Sequence, residues 1–185
     1  MAIDWIREKH SRFIKICGIT TVEDAAVCAD LDVDAIGILL ERPGKSPKAG
    51  SARLPVELAA AISSSIRGKC QVFTLIHTER PDLLDNYARI IQPDVMQMCL
   101  DISSPTLMQF REKWPEIGIM HSLRVAPETT TTELKSRIDQ LISDKILDGV
   151  ILDSAKGGSG QAHDWTVSAQ IVEAFPELPM LLAGD

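Results

Sequence analysis

The feature that most narrows what this chain can fold into is a strict alternation of short, wholly apolar runs with helix-period segments. Phe13-Ile14-Lys15-Ile16-Cys17-Gly18 reads as a strand ending in glycine, and Thr21-Val22-Glu23-Asp24 opens a helix with a capping-box-like start that continues to Leu31. Asp34 to Leu40 is a second apolar strand, and Arg42 to Ser51, rich in Gly, Pro, Ser and Lys, is a loop. The order then repeats. Helices are predicted over Pro55–Ile66, Pro81–Ile91, Thr106–Lys113, Thr132–Ile146 and Trp165–Phe175. The strands between and after them are Cys70–Ile76, Asp94–Cys99, Gly118–Val125, Gly149–Asp153 and Pro179–Ala183.

Strands of continuous Ile, Val and Leu are buried on both faces, and a helix after each one makes the sheet parallel, built from right-handed βαβ units. Seven such strands are legible at a repeat of about 28 residues, so the 185 residues fall short of an eighth unit of a closed (β/α)8 barrel. The expectation is one α/β domain over 1–185 of the (β/α)8, or TIM, barrel family, preceded by an N-terminal extension over 1–12 and lacking the last βα unit. The barrel would then be closed by a missing segment or by an oligomer. A doubly wound open sheet tolerates seven strands and is the other architecture the pattern allows.

Composition removes several function classes. With 26 acidic against 19 basic residues, the formal charge of -7 supplies no basic field for a phosphate backbone, so no nucleic-acid partner is expected. The charged first ten residues are unlike a signal peptide, and no window nears 18 apolar residues, so no membrane partner is expected and the cytoplasm is the expected address. Cys17, Cys28, Cys70 and Cys99 form no CxxC pair and sit in apolar runs, as buried free thiols in a reducing compartment do.

In either architecture the chemistry belongs at the carboxyl ends of the strands. Cys17 ends the first strand with Lys15 on the same side, an arrangement that favours a thiolate base or nucleophile; the plainer reading is a small buried hydrophobe. Asp153 ends a fully apolar strand, where burial is expected to raise its pKa toward that of a general acid, unless it simply caps its own loop. Gly157-Gly158-Ser159-Gly160 can turn backbone N–H groups to an anion or form a mobile lid. His77 and His121 sit on separate strands without ligand spacing and read as core or rim residues, so no metal is expected; a metal-dependent epimerase would need more ligands than His77 and Asp153.

Lys15-Ile16-Cys17-Gly18-Ile19-Thr20, Asp34-Ala35-Ile36-Gly37, Lys45-Ser46-Pro47-Lys48, Leu152-Asp153-Ser154, Gly157 to Gly160, His163-Asp164-Trp165 and Leu182-Ala183-Gly184 together resemble the phosphoribosylanthranilate isomerase family of tryptophan biosynthesis. The resemblance implies a cofactor-free Amadori rearrangement of a small phosphosugar, with Cys17 as general base and Asp153 as general acid. It implies that Lys48 stands in place of an arginine that pairs with the anthranilate carboxylate, keeping the charge but losing the bidentate fork. It also implies that Gln97 is retained from a Gln-Leu-His-Gly string whose His and Gly are here Cys99 and Leu100. Arg124 becomes a substrate contact at the end of strand five, and Gly157, Gly158 and Gly184 become phosphate contacts. The alternative is a divergent barrel without isomerase activity, serving as a phosphosugar-binding or interaction module.

Overall fold

The computed structural model describes Ile3, Ile6 and residues 12–45, 51–154 and 164–183. Eight strands, β1 (Lys15–Cys17), β2 (Ala35–Leu40), β3 (Arg53–Leu54), β4 (Gln71–Ile76), β5 (Val95–Met98), β6 (Gly118–Val125), β7 (Gly149–Ser154) and β8 (Met180–Leu182), form one sheet. It is parallel throughout, in the order β1-β2-β4-β5-β6-β7-β8, with β3 a two-residue stub paired to the end of β2. Sequential order in an all-parallel sheet, with a helix after nearly every strand, is the barrel topology; a doubly wound sheet would reverse its strand order at a switch point. Among the described residues β1 and β8 end the strand order, and β3 too pairs on one side only.

The helices are α1 (Val22–Asp30), α2 (Val56–Ser65), α3 (Pro81–Ile91), α4 (Ser104–Lys113), α5 (Thr131–Ser143) and α6 (Trp165–Ala174). Local chemistry sets their ends. Thr21 caps α1 by accepting from the Asp24 N–H at 3.0 Å, and Thr130 with Glu133 forms a full capping box on α5. Two helix boundaries differ from the periodicity by more than one residue. Helix α4 starts at Ser104 because Pro105 is tolerated in the first turn, whose N–H groups have no intrahelical partner. Helix α5 stops at Ser143, three residues before Ile146, and Lys145 then turns the chain with φ 55°.

Alternation along each strand splits the apolar residues into two layers. Ile36, Ile38, Val72, Ile76, Met96, Met98 and Ile119 point outward and pack with Ala59, Ile62, Leu84, Ala88 and Leu107 of the helices. A second outer cluster joins Leu123, Val150 and Leu152 to α5 and α6. The inward residues Ala35, Phe73, Leu75, Val95, Met120 and Ile151 make the inner core. Ile3 and Ile6 belong to it too, and Ile3 is fully buried. Ile3 lies against the first residues of β6 and β7, Gly118 and Gly149; a Cβ on Gly149 would sit 3.0 Å from Ile3 Cδ1 and 2.8 Å from the Pro179 carbonyl oxygen. Both strands therefore begin with the residue that leaves room for the plug. Among the described residues no helix is long and apolar enough to cross a membrane.

Candidate functional site

The inward residues at the carboxyl ends of the strands converge on one mouth. Cys17 is the last residue of β1, and its register partner Gly37 lies beside it on β2. A Cβ at Gly37 would meet Cys17 Sγ at 2.7 Å and both Cys17 Cα and Leu75 Cδ1 at 3.2 Å, so only glycine leaves the sulfur its position. Gly37→Ala is expected to cost about 1–3 kcal/mol of stability by overpacking and to displace the sulfur. A urea denaturation curve alongside the rate of Cys17 alkylation would show both effects.

Cys17 departs from the expectation of a buried thiol. It is exposed, whereas Cys28 and Cys70 are buried and Cys99 is intermediate. Lys15 Nζ donates to Cys17 Sγ at 2.6 Å and lies 5.2 Å from the centroid of the Phe73 ring. The ammonium is thus held between an aromatic face and the sulfur. Asp153, half-buried near the end of β7, is the register partner of Arg124 on β6, and the two side chains leave the same face of the sheet.

Gln97, on β5, is almost fully buried and donates from Nε2 to Ser122 Oγ at 2.8 Å. Its Oε1 is buried with no hydrogen-bond partner, which is costly unless a ligand or water supplies a donor. Cys99 Sγ donates to the Gln97 carbonyl at 3.6 Å, and burial pushes its thiol up to about 11, against the opposing pull of Ser122, Lys15 and Arg53. Cys99 is accordingly a neutral wall of the mouth.

Arg53 is the residue that sequence reasoning missed. It sits on β3, just past the loop that contains Lys48, and its Nη1 donates to the Leu40 carbonyl at 2.8 Å. Nη1 and Nη2 lie 3.4 and 3.3 Å from Nδ1 and Nε2 of His77, one residue past β4. The signal was weak: a two-residue strand after a Gly- and Pro-rich loop has no periodicity to detect. Lys48, Gly157, Gly158 and Gly184 lie outside the described residues.

Burial, reinforced by Arg53, Arg42 and Arg124, pulls the His77 imidazole down from its ordinary 6.5 to about 4. Burial also lowers that of His121, helped by Arg137 and opposed by the Ser122 carbonyl and Asp101. Both rings are therefore neutral in the folded chain at pH values where the unfolded chain binds protons. Unfolded molecules bind more protons between pH 6.5 and about 4, so stability is expected to fall as pH drops through that window. His77→Gln should flatten the dependence of the urea midpoint on pH between 7 and 4.5. A slope unchanged by the substitution would show that His77 does not contribute.

A sequentially wound parallel sheet with a thiol, a carboxylate and several cations at its carboxyl-end mouth defines a (β/α)-barrel protein. No family model matches the chain. It is 31% identical over 182 residues to N-(5'-phosphoribosyl)anthranilate isomerase of Methanosarcina acetivorans, covering 92% of this chain and 74% of that protein. It superposes on the N-(5'-phosphoribosyl)anthranilate isomerase of Pyrococcus furiosus with a TM-score of 0.71 at 22% identity, over 93% of this chain and 76% of that one. It also superposes on a phosphoribosylanthranilate isomerase in complex with reduced 1-(o-carboxyphenylamino)-1-deoxyribulose 5-phosphate, with a TM-score of 0.62 at 14% identity, over 94% of this chain and 87% of that one. The chain belongs to the phosphoribosylanthranilate isomerase family.

Proposed function

We propose that the chain is an active phosphoribosylanthranilate isomerase of the cytoplasm, converting N-(5'-phosphoribosyl)anthranilate to 1-(2-carboxyphenylamino)-1-deoxyribulose 5-phosphate by general acid–base catalysis. The observation that carries this reading is the pairing of Cys17 and Asp153. The two lie on the inward face near the carboxyl ends of β1 and β7, on opposite sides of one mouth, with Lys15 against the sulfur.

Asp153 protonates the ribose ring oxygen as the C1'–O bond breaks, and the anilino nitrogen lone pair forms the C1'=N iminium. The Cys17 thiolate then takes the C2' proton, and the released electron pair makes the C1'=C2' enolamine. Protonation at C1' and loss of the C2' hydroxyl proton give the ketone, so protons balance and no oxidant is consumed. A cation held against sulfur is the setting in which a thiolate serves as base.

Arg53 takes the anthranilate carboxylate, the role that the family resemblance implies for the position of Lys48, because its guanidinium lies within the mouth and supplies the bidentate fork that lysine lacks. The unpaired Gln97 Oε1 accepts from the substrate, Arg124 offers a second cation next to Asp153, and the backbone N–H groups of Gly157, Gly158 and Gly184 hold the phosphate.

The test is the decay of phosphoribosylanthranilate fluorescence on adding the purified chain, followed at several enzyme concentrations. A rate proportional to protein supports the reading. Ligand binding without turnover would replace it with a phosphosugar-binding module.

A further inference from the structure

The acid–base reading gives His77 no role. His77 faces Arg53 and is half-buried at the top of β4. A neutral imidazole has one acceptor nitrogen, so one of the 3.3–3.4 Å contacts is an N–H···N hydrogen bond and the other sets the cation against the ring. The planar geometry of the guanidinium determines what remains. The contacts to His77 use the end-on pair of N–H groups on Nη1 and Nη2, and the Leu40 carbonyl takes the other Nη1 N–H. Left over are Nε–H and the outer Nη2–H, the parallel side-on fork that matches the two oxygens of a carboxylate. Among the described residues nothing accepts from that fork.

We propose that His77 is a positioning residue that occupies the end-on edge of Arg53, presents its side-on fork to the ligand, and so makes the site selective for a carboxylate on the aromatic ring. The identity of that carboxylate as anthranilate's rests on the isomerase reading above. The chemistry of the choice is specific. An acidic side chain at this place would orient Arg53 equally well but cancel the charge the ligand needs, whereas a neutral ring orients without neutralising. With the end-on edge unoccupied, a carboxylate could approach either edge, and the arginine would lose its fixed register.

The experiment compares binding of two probes to the full chain by titration calorimetry: reduced 1-(o-carboxyphenylamino)-1-deoxyribulose 5-phosphate and the matching phenylamino compound without the carboxylate. Wild-type protein is expected to prefer the carboxylated probe by about 10-fold or more, as a charged bidentate pair allows. His77→Ala should remove most of that preference with the Kd of the carboxylate-free probe unchanged. His77→Gln, which restores a neutral acceptor, should recover it, and His77→Glu should not. In an Arg53→Ala background His77→Ala should have no further effect.

Equal weakening of both probes, or a loss that persists without Arg53, overturns the proposal, as does wild-type binding without carboxylate preference, which leaves the isomerase reading intact. Wild-type protein that binds neither probe overturns both.

Discussion

Replacing Cys17 with alanine or serine is expected to lower kcat for phosphoribosylanthranilate by about 10²–10⁴-fold, the range supplied by one positioned general acid or base. The reason lies in the division of labour. C2' deprotonation needs a base within reach of one face of the opened sugar, and among the described residues the sulfur of Cys17, with Lys15 Nζ at 2.6 Å, is the side chain on the β1 side of the mouth that can take a proton. KM should change little, because the sulfur contacts a C–H bond and contributes little to ground-state binding. Asp153→Asn should lower kcat by a comparable factor for a different reason: the amide keeps the shape of the side chain near the end of β7 but has no proton to deliver to the ring oxygen. The check is steady-state kinetics of both variants by fluorescence decay, with circular dichroism to verify folding. A Cys17→Ala variant retaining more than a tenth of wild-type kcat would remove Cys17 from the mechanism.

Ile3→Ala is expected to destabilise the fold by about 2–5 kcal/mol, the cost of a fully buried large-to-small change with partial collapse of the cavity. Ile3 is fully buried in the inner core with Phe73, Val95, Met120 and Ile151 and lies over the glycines that begin β6 and β7. Ile3 itself packs at the amino ends of these strands, opposite the mouth, so the loss should appear as a lower urea midpoint with an unchanged m-value and near-normal kcat at low temperature. Ile3→Val should cost only about 0.5–1.5 kcal/mol. An Ile3→Ala midpoint within experimental error of wild type would mean that the plug is not coupled to folding.

A single sequence shows the wall of this barrel better than what fills it. The wall of the barrel was legible because continuous Ile, Val and Leu runs have no polar face to expose, and a helix after each such run requires parallel pairing; helix Pro81–Ile91 and strand Gly118–Val125 match residue for residue. The role of Ile3 was not legible. Its neighbours Asp4, Arg7, Glu8 and Lys9 give the segment a charged character, and nothing local indicates that one isoleucine fills the floor of a sheet assembled from residues far along the chain.

The site divides in the same way. Cys17, Asp153, Gln97 and Arg124 occupy strand ends in the sequence pattern, and alternation with period two turns all four to the inner face. Arg53 and His77 are paired only in space: one follows a loop, the other a strand, 24 residues apart.

The sequence alone carries every element except β3, their order and the parallel sense of the sheet, because burial on two faces is a property of short local runs, and its resemblance to a known family points to the acid and base at the strand ends. Tertiary structure decided which residues share the mouth, that Cys17 is exposed while Cys28 and Cys70 are buried, and that Arg53 has one edge held by His77. The physical reason is that burial, a depressed imidazole pKa and the direction of a guanidinium fork are set by neighbours brought together through folding, and a linear pattern carries no distance between them.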